Sequence, residues 1–160
     1  MEPSELTLTI NGEQRTVRAR PMDMLLSVLR SEGKLFGARE GCGVGMCGAC
    51  TVLLDGRPVS SCLMPVVKAQ HGEIVTVEGL EGEHGELDPI QQAYIDHNAF
   101  QCSFCTPGFI LATKALLEEK PDVTEEEARA YLAGNLCRCG SYVKILDAVM
   151  DAKERLRRPS

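Results

Sequence analysis

The sequence predicts an α+β protein in two parts, a strand-rich unit with one helix followed by a unit of four helices. Three observations predict it. Alternating apolar and polar residues flank an Asn-Gly and an Asp-Gly pair in the first half. Apolar residues recur at helical spacing behind capping residues in the second half. Between them runs GLEGEHGELD, rich in glycine and acid and poor in apolar content. Hairpin turns, amphipathic helices and linkers have these signatures for separate physical reasons.

The elements follow in order. LTLTINGEQRTVRAR alternates on both sides of Asn11-Gly12, which predicts a hairpin. Asp23 is placed to cap a helix through Leu25, Leu26, Val28 and Leu29, ending near Gly33. Thr51–Leu54 and Pro58–Ser60 flank Asp55-Gly56 as a second hairpin, and Ile74–Val77 reads as another short strand. Strands with one helix over residues 1–80 make a small α+β unit, with 81–87 as linker and 88–160 as the helical unit. There, Asp88-Pro89 starts one helix, with Ile90, Ala93, Tyr94 and His97 on one side. Thr106 is placed to cap a second helix, with Pro107 at its first position, that ends before Pro121; Thr124 with Glu127 makes a capping box for a third, closing at Gly134. Ser141 is placed to cap the fourth, along which Val143, Leu146, Val149 and Met150 follow. Short connections imply a compact bundle.

Eight cysteines fall into two groups of four. Cys42, Cys47, Cys50 and Cys62 read C-x4-C-x2-C-x11-C, and Cys102, Cys105, Cys137 and Cys139 read C-x2-C-x31-C-x-C. Four thiolates are what one [2Fe–2S] cluster needs, so the count points to two clusters and electron transfer. Disulfides are the first competing reading. Against them, MEPSELTLTI holds no basic segment followed by an apolar run, and 160 residues bury a core without staples. A zinc-binding interaction module is the second, but each group holds a single x2 pair, where zinc sites usually present two C-x2-C knuckles. A free two-cluster ferredoxin is the third. Unpaired thiols and the missing signal lead us to expect a cytoplasmic protein.

C-x4-C-x2-C is the plant-type ferredoxin spacing. In EGCGVGMCGAC, Gly43, Gly45 and Gly48 surround the ligands. A glycine loop can turn its amides toward an anionic cluster and let the backbone approach. The second group differs. Both of its pairs precede a predicted helix, so two helix dipoles would face one anion.

GCGVGMCGAC with Cys62, QCSFCTPG and GNLCRC together resemble the small iron–sulfur subunit of the xanthine oxidase family of molybdenum hydroxylases, over nearly the whole chain. The resemblance implies a plant-type ferredoxin-like β-grasp domain followed by a four-helix bundle that holds the second cluster. It implies electron relay between a molybdopterin site on a large subunit, nearer the C-terminal cluster, and FAD on a medium subunit, in a heterotrimer or a dimer of heterotrimers. It also implies a molybdopterin contact for Gln101. Two departures stand out. Ser103 lies where the family usually has glycine, and Gly140-Ser141 replaces the usual Thr-Gly after the last cysteine, moving the glycine one place toward the ligand.

Other features narrow the range. The formal charge of −6 disfavours nucleic acid, and no apolar run reaches membrane-helix length. His71, His84 and His97 are not spaced as cluster ligands, and the basic end (Lys153, Arg155, Arg157, Arg158) reads as a solvated helix face. There is no Rossmann fingerprint, P-loop or acid/base constellation, so this chain holds no substrate site of its own.

Overall fold

A computed structural model of the chain describes residues 2–82 and 84–158. Five strands, β1 (Ser4–Ile10), β2 (Glu13–Ala19), β3 (Thr51–Leu54), β4 (Arg57–Ser60) and β5 (Glu73–Val75), form one sheet in the order β2-β1-β5-β3-β4. β1 and β5 run parallel; the other neighbours are antiparallel. Both hairpins turn where expected. Asn11 and Gly12 have φ of 53° and 78°, and Asp55 and Gly56 have 51° and 76°, the left-handed pairs that a tight two-residue turn requires.

Helix α1 (Leu25–Ser31) lays Leu25, Leu26, Val28 and Leu29 on one face of the sheet, against Leu8, Ile10, Val52 and Ile74. The bundle of α2 (Pro89–Asp96), α3 (Thr106–Glu119), α4 (Glu125–Tyr131) and α5 (Tyr142–Arg157) covers the other face. Strand β3 shows why both faces are dry. Val52 joins the core beneath α1, whereas the next residue, Leu53, joins the helical core with Tyr94, Phe109 and Leu116. This is the expected ferredoxin-like sheet followed by a helical bundle.

Two capping boxes form. Asp88 accepts from Ile90 N at 2.8 Å while Gln91 reaches back to Asp88 N, and Thr124 and Glu127 do the same at α4. Three other expected caps do not. Asp23 accepts instead from Arg20 N at 2.8 Å, and Met24 precedes α1 without a side-chain cap. Cys105 holds the cap position of α3, so Thr106 is the first helical residue. Ser141 holds that of α5 but its hydroxyl caps nothing. The expected Ile74–Val77 strand ends at Val75, because Asn11 Oδ1 takes the N–H of Thr76 at 2.8 Å and Val77 opens a 3₁₀ turn. Glu83, within the expected linker, lies outside the described residues.

Candidate iron–sulfur centres

The first cysteine group lies on the irregular loop between α1 and β3, with Cys62 just beyond β4. Cys50 and Cys62 are buried, Cys47 is half-buried and Cys42 is exposed. Gly43, Gly45 and Gly48 all have positive φ, between 67° and 73°. These left-handed steps curl the loop around Cys42, whose Sγ receives the N–H of Met46 at 3.3 Å and of Val44 at 3.5 Å. Those amides of Val44 and Met46 draw the Cys42 thiol down to about 7. Burial pushes Cys62 up to about 11; the adjacent Cys50 sulfur adds to this and the Gly45 N–H opposes it. The sulfurs stand in pairs, Cys42 beside Cys47 and Cys50 beside Cys62.

The second group is built from the ends of helices. Cys102 and Cys105 lead into α3, and Cys137 and Cys139 lead into α5. Cys102 and Cys139 are exposed with their Sγ atoms 3.6 Å apart, while Cys105 and Cys137 form an inner pair. The Phe104 N–H, then Cys139, hold the Cys102 thiol below its ordinary value. Burial drives Cys105 up to about 12, with Cys137 adding to it. Burial also presses Cys137 upward, but donors led by the Ser141 N–H, 3.4 Å from its Sγ, leave it lowered. The Tyr142 hydroxyl accepts the N–H of Cys137 at 2.9 Å. Among the described residues no three His, Cys, Asp or Glu side chains close on a single-ion point.

The family departures are accommodated locally. Ser103 takes the left-handed conformation itself, at φ 60°, and its carbonyl accepts from Arg39, which also lies 5.6 Å over the Phe104 ring. Gly140, at φ 80°, carries the left-handed turn immediately after Cys139, so the turn has moved with the glycine. Gln101 is exposed beside the outer pair, its Nε2 donating to the Cys139 carbonyl at 3.3 Å.

The two groups share a boundary. Leu136 N donates to the Cys47 carbonyl at 2.9 Å, linking a residue of the first group to the neighbour of Cys137. Beside it, buried Asn135 donates to the Gly48 carbonyl at 3.3 Å. A cleft of about 450 Å³ between the groups is lined by Cys42, Cys47, Cys102, Cys105, Cys137 and Phe104, among others. Motif reading alone missed Val44, Met46, Phe104, Asn135 and Leu136. They act through backbone amides or long-range contacts, for which a side-chain pattern carries no signal.

These residues fit a binuclear iron–sulfur group. Paired thiols and inward amides suit a centre that holds sulfur as thiolate, and a bound cation would offset the burial that raises Cys62 and Cys105. The two buried side-chain oxygens or nitrogens without a partner among the described residues, Thr106 Oγ1 and Ser141 Oγ, both sit at the helix starts of the second group.

Comparison with known proteins agrees. Residues 8–83 match the family described as 2Fe-2S iron-sulfur cluster binding domain, and residues 76–150 the one described as [2Fe-2S] binding domain. Fold and site together thus define an iron–sulfur protein of ferredoxin-like and helical parts. The chain is 44% identical over 155 residues to the nicotinate dehydrogenase small FeS subunit of Eubacterium barkeri, covering 97% of this chain and 98% of that one. Quinoline 2-oxidoreductase from Pseudomonas putida 86 matches with a TM-score of 0.92 and 39% identity, covering 99% of this chain and 98% of that one. The aldehyde oxidoreductase from Desulfovibrio desulfuricans ATCC 27774 matches with a TM-score of 0.90 and 44% identity, over 98% of this chain but 17% of that longer one. The chain belongs to the small iron–sulfur subunits of the xanthine oxidase family of molybdenum hydroxylases, and is therefore a subunit of an oxidoreductase. No helix among the described residues is long and apolar enough to cross a membrane.

Proposed function

We propose that this chain relays single electrons through two [2Fe–2S] clusters between a molybdopterin site on a large subunit and FAD on a medium subunit. Cys42, Cys47, Cys50 and Cys62 hold one cluster; Cys102, Cys105, Cys137 and Cys139 hold the other. When bound, such a cluster takes up and releases one electron, at a potential tuned by hydrogen bonds to its sulfurs. The observation that carries the reading is the Leu136 N–H to Cys47 carbonyl bond of 2.9 Å, which joins the two cysteine groups through a short run of backbone.

The surface supports partners on both sides. Val44, Met46 and Leu63 stand exposed by the first group; Phe104, Leu136, Tyr142 and Val143 stand exposed by the second. Apolar side chains gathered at both exits are what protein contacts would cover. We assign the outer pair with Gln101 to the molybdopterin side and the Cys42 end to the flavin side. The complex is a cytoplasmic heterotrimer or its symmetric dimer. Its substrate is a heterocycle or aldehyde bound on the large subunit, as the names of the relatives imply.

The test is metal analysis and electron paramagnetic resonance on the purified complex. About four irons per chain and two distinct reduced signals are expected. Cys47→Ala removes one signal and Cys137→Ala the other. Stoichiometric zinc, or the loss of both signals from either variant while it stays folded, overturns the assignment.

A further inference from the structure

The starts of the four bundle helices divide into two kinds. At α2 and α4 the cap residues are extended, with ψ of 141° for Asp88 and 162° for Thr124, and their side chains reach the free amides ahead. At α3 and α5 the residues in that position are near-helical, with ψ of −15° for Cys105 and 18° for Ser141. A side chain on such backbone turns away from those amides, and the hydroxyls of Thr106 and Ser141 are the two buried side-chain oxygens or nitrogens left without a partner among the described residues. Ser141 is only 6% exposed. Neither hydroxyl bonds back to the preceding turn, the usual recourse of a helical serine or threonine. A buried donor without an acceptor loses its hydration for nothing, so a retained pair at one location calls for an acceptor there. No cysteine Sγ accepts either hydroxyl, which leaves inorganic sulfide as the acceptor at that location. Thr106 directly follows Cys105, and the backbone N–H of Ser141 already meets the Sγ of Cys137 at 3.4 Å.

We propose that the Ser141 and Thr106 hydroxyls donate to inorganic sulfide of the second cluster and raise its reduction potential above the value that backbone amides alone would set. This rests on the two-cluster reading above. Both are positioning and tuning residues, since they act on the cluster electrostatically and ligate nothing. Hydroxyl donors favour the reduced, more negative state.

The test is a redox titration of the complete complex, followed by paramagnetic resonance, for Ser141→Ala and Thr106→Val. Each change is expected to shift the second centre about tenfold toward its oxidised form, a fall of about 59 mV for one electron. The first centre and the iron content stay at parent values. Ser141→Thr and Thr106→Ser keep a hydroxyl and are expected to restore the parent potential. An unchanged second potential in both deletion variants, or an equal shift of both centres, overturns the inference while leaving the clusters assigned. Absence of a second signal from the parent complex would instead overturn the two-cluster reading, and this inference with it.

Discussion

Ser103 shows how a single side chain pays for geometry that a ligand site demands. A left-handed residue with a Cβ costs roughly 1–2 kcal/mol, and this one sits between Cys102 and Cys105 at φ 60°. Arg39 holds its carbonyl from the strand-rich part. Ser103→Gly relieves the strain, but glycine's freedom in the unfolded chain offsets about 0.4–1 kcal/mol of the gain. A net stabilisation of about 0.5–1 kcal/mol is expected, measured by denaturant unfolding of the intact chain. At this scale the sequence was legible wherever side chains carry the chemistry. The structure brings Cys42 beside Cys47, Cys50 beside Cys62, Cys102 beside Cys139 and Cys105 beside Cys137, each pair within one group of the spacing, and Gly140 carries a left-handed turn. The sequence was silent where amides do the work, because the N–H groups of Val44 and Met46 are common to every residue but proline.

Among the elements, those with purely local determinants were readable. Asn11-Gly12 and Asp55-Gly56 turned as expected, and the Thr124–Glu127 capping box formed. Thr106 and Ser141 were misread as ordinary caps because the cysteines beside them, not the helix, set the backbone there. The basic end was read as a solvated face, yet Arg155 bridges Asp96 at 2.6 Å and Asp151 at 2.7 Å, tying α5 to α2. His97 joins Asp151 at 3.1 Å. The Arg155 contact first, with Gln92 aiding Asp96 and His97 aiding Asp151, holds both carboxyls below the usual range. A carboxyl lowered in the folded state stabilises above its unfolded pKa of about 3.9, and that contribution is lost as pH falls through the folded value. Arg155→Ala is therefore expected to destabilise the chain at neutral pH and to make little difference at strongly acid pH. The neutral-pH loss is larger at low salt than at high salt, since these side chains are partly exposed. Thermal melts across pH and ionic strength measure it.

For the whole molecule, the contacts that unite the two parts were the least legible. The Leu136–Cys47 bond and the Asn135–Gly48 bond span most of the chain, and nothing local marks them. Leu53 likewise gave no sign in TVLL that it would serve the helical core while Val52 served the other. Because one strand feeds both cores, neither part holds its interior alone. Leu53→Ala is expected to cost about 2–5 kcal/mol and to lower a single shared unfolding transition. Urea titration followed separately by helix content and by cluster absorbance would then give coincident midpoints.

Gly108 closes the same boundary from the helical side. A Cβ there would collide with the Gly48 carbonyl oxygen, and one on Gly48 would collide with the side-chain amide of Asn135. Backbone is thus seated directly against backbone at the seam. A bulkier residue at Gly108 would push the Gly48 carbonyl, and with it the loop of the first cysteine group, away from α3. Every residue carries that carbonyl, so no exchange at position 48 could make room for a side chain at 108.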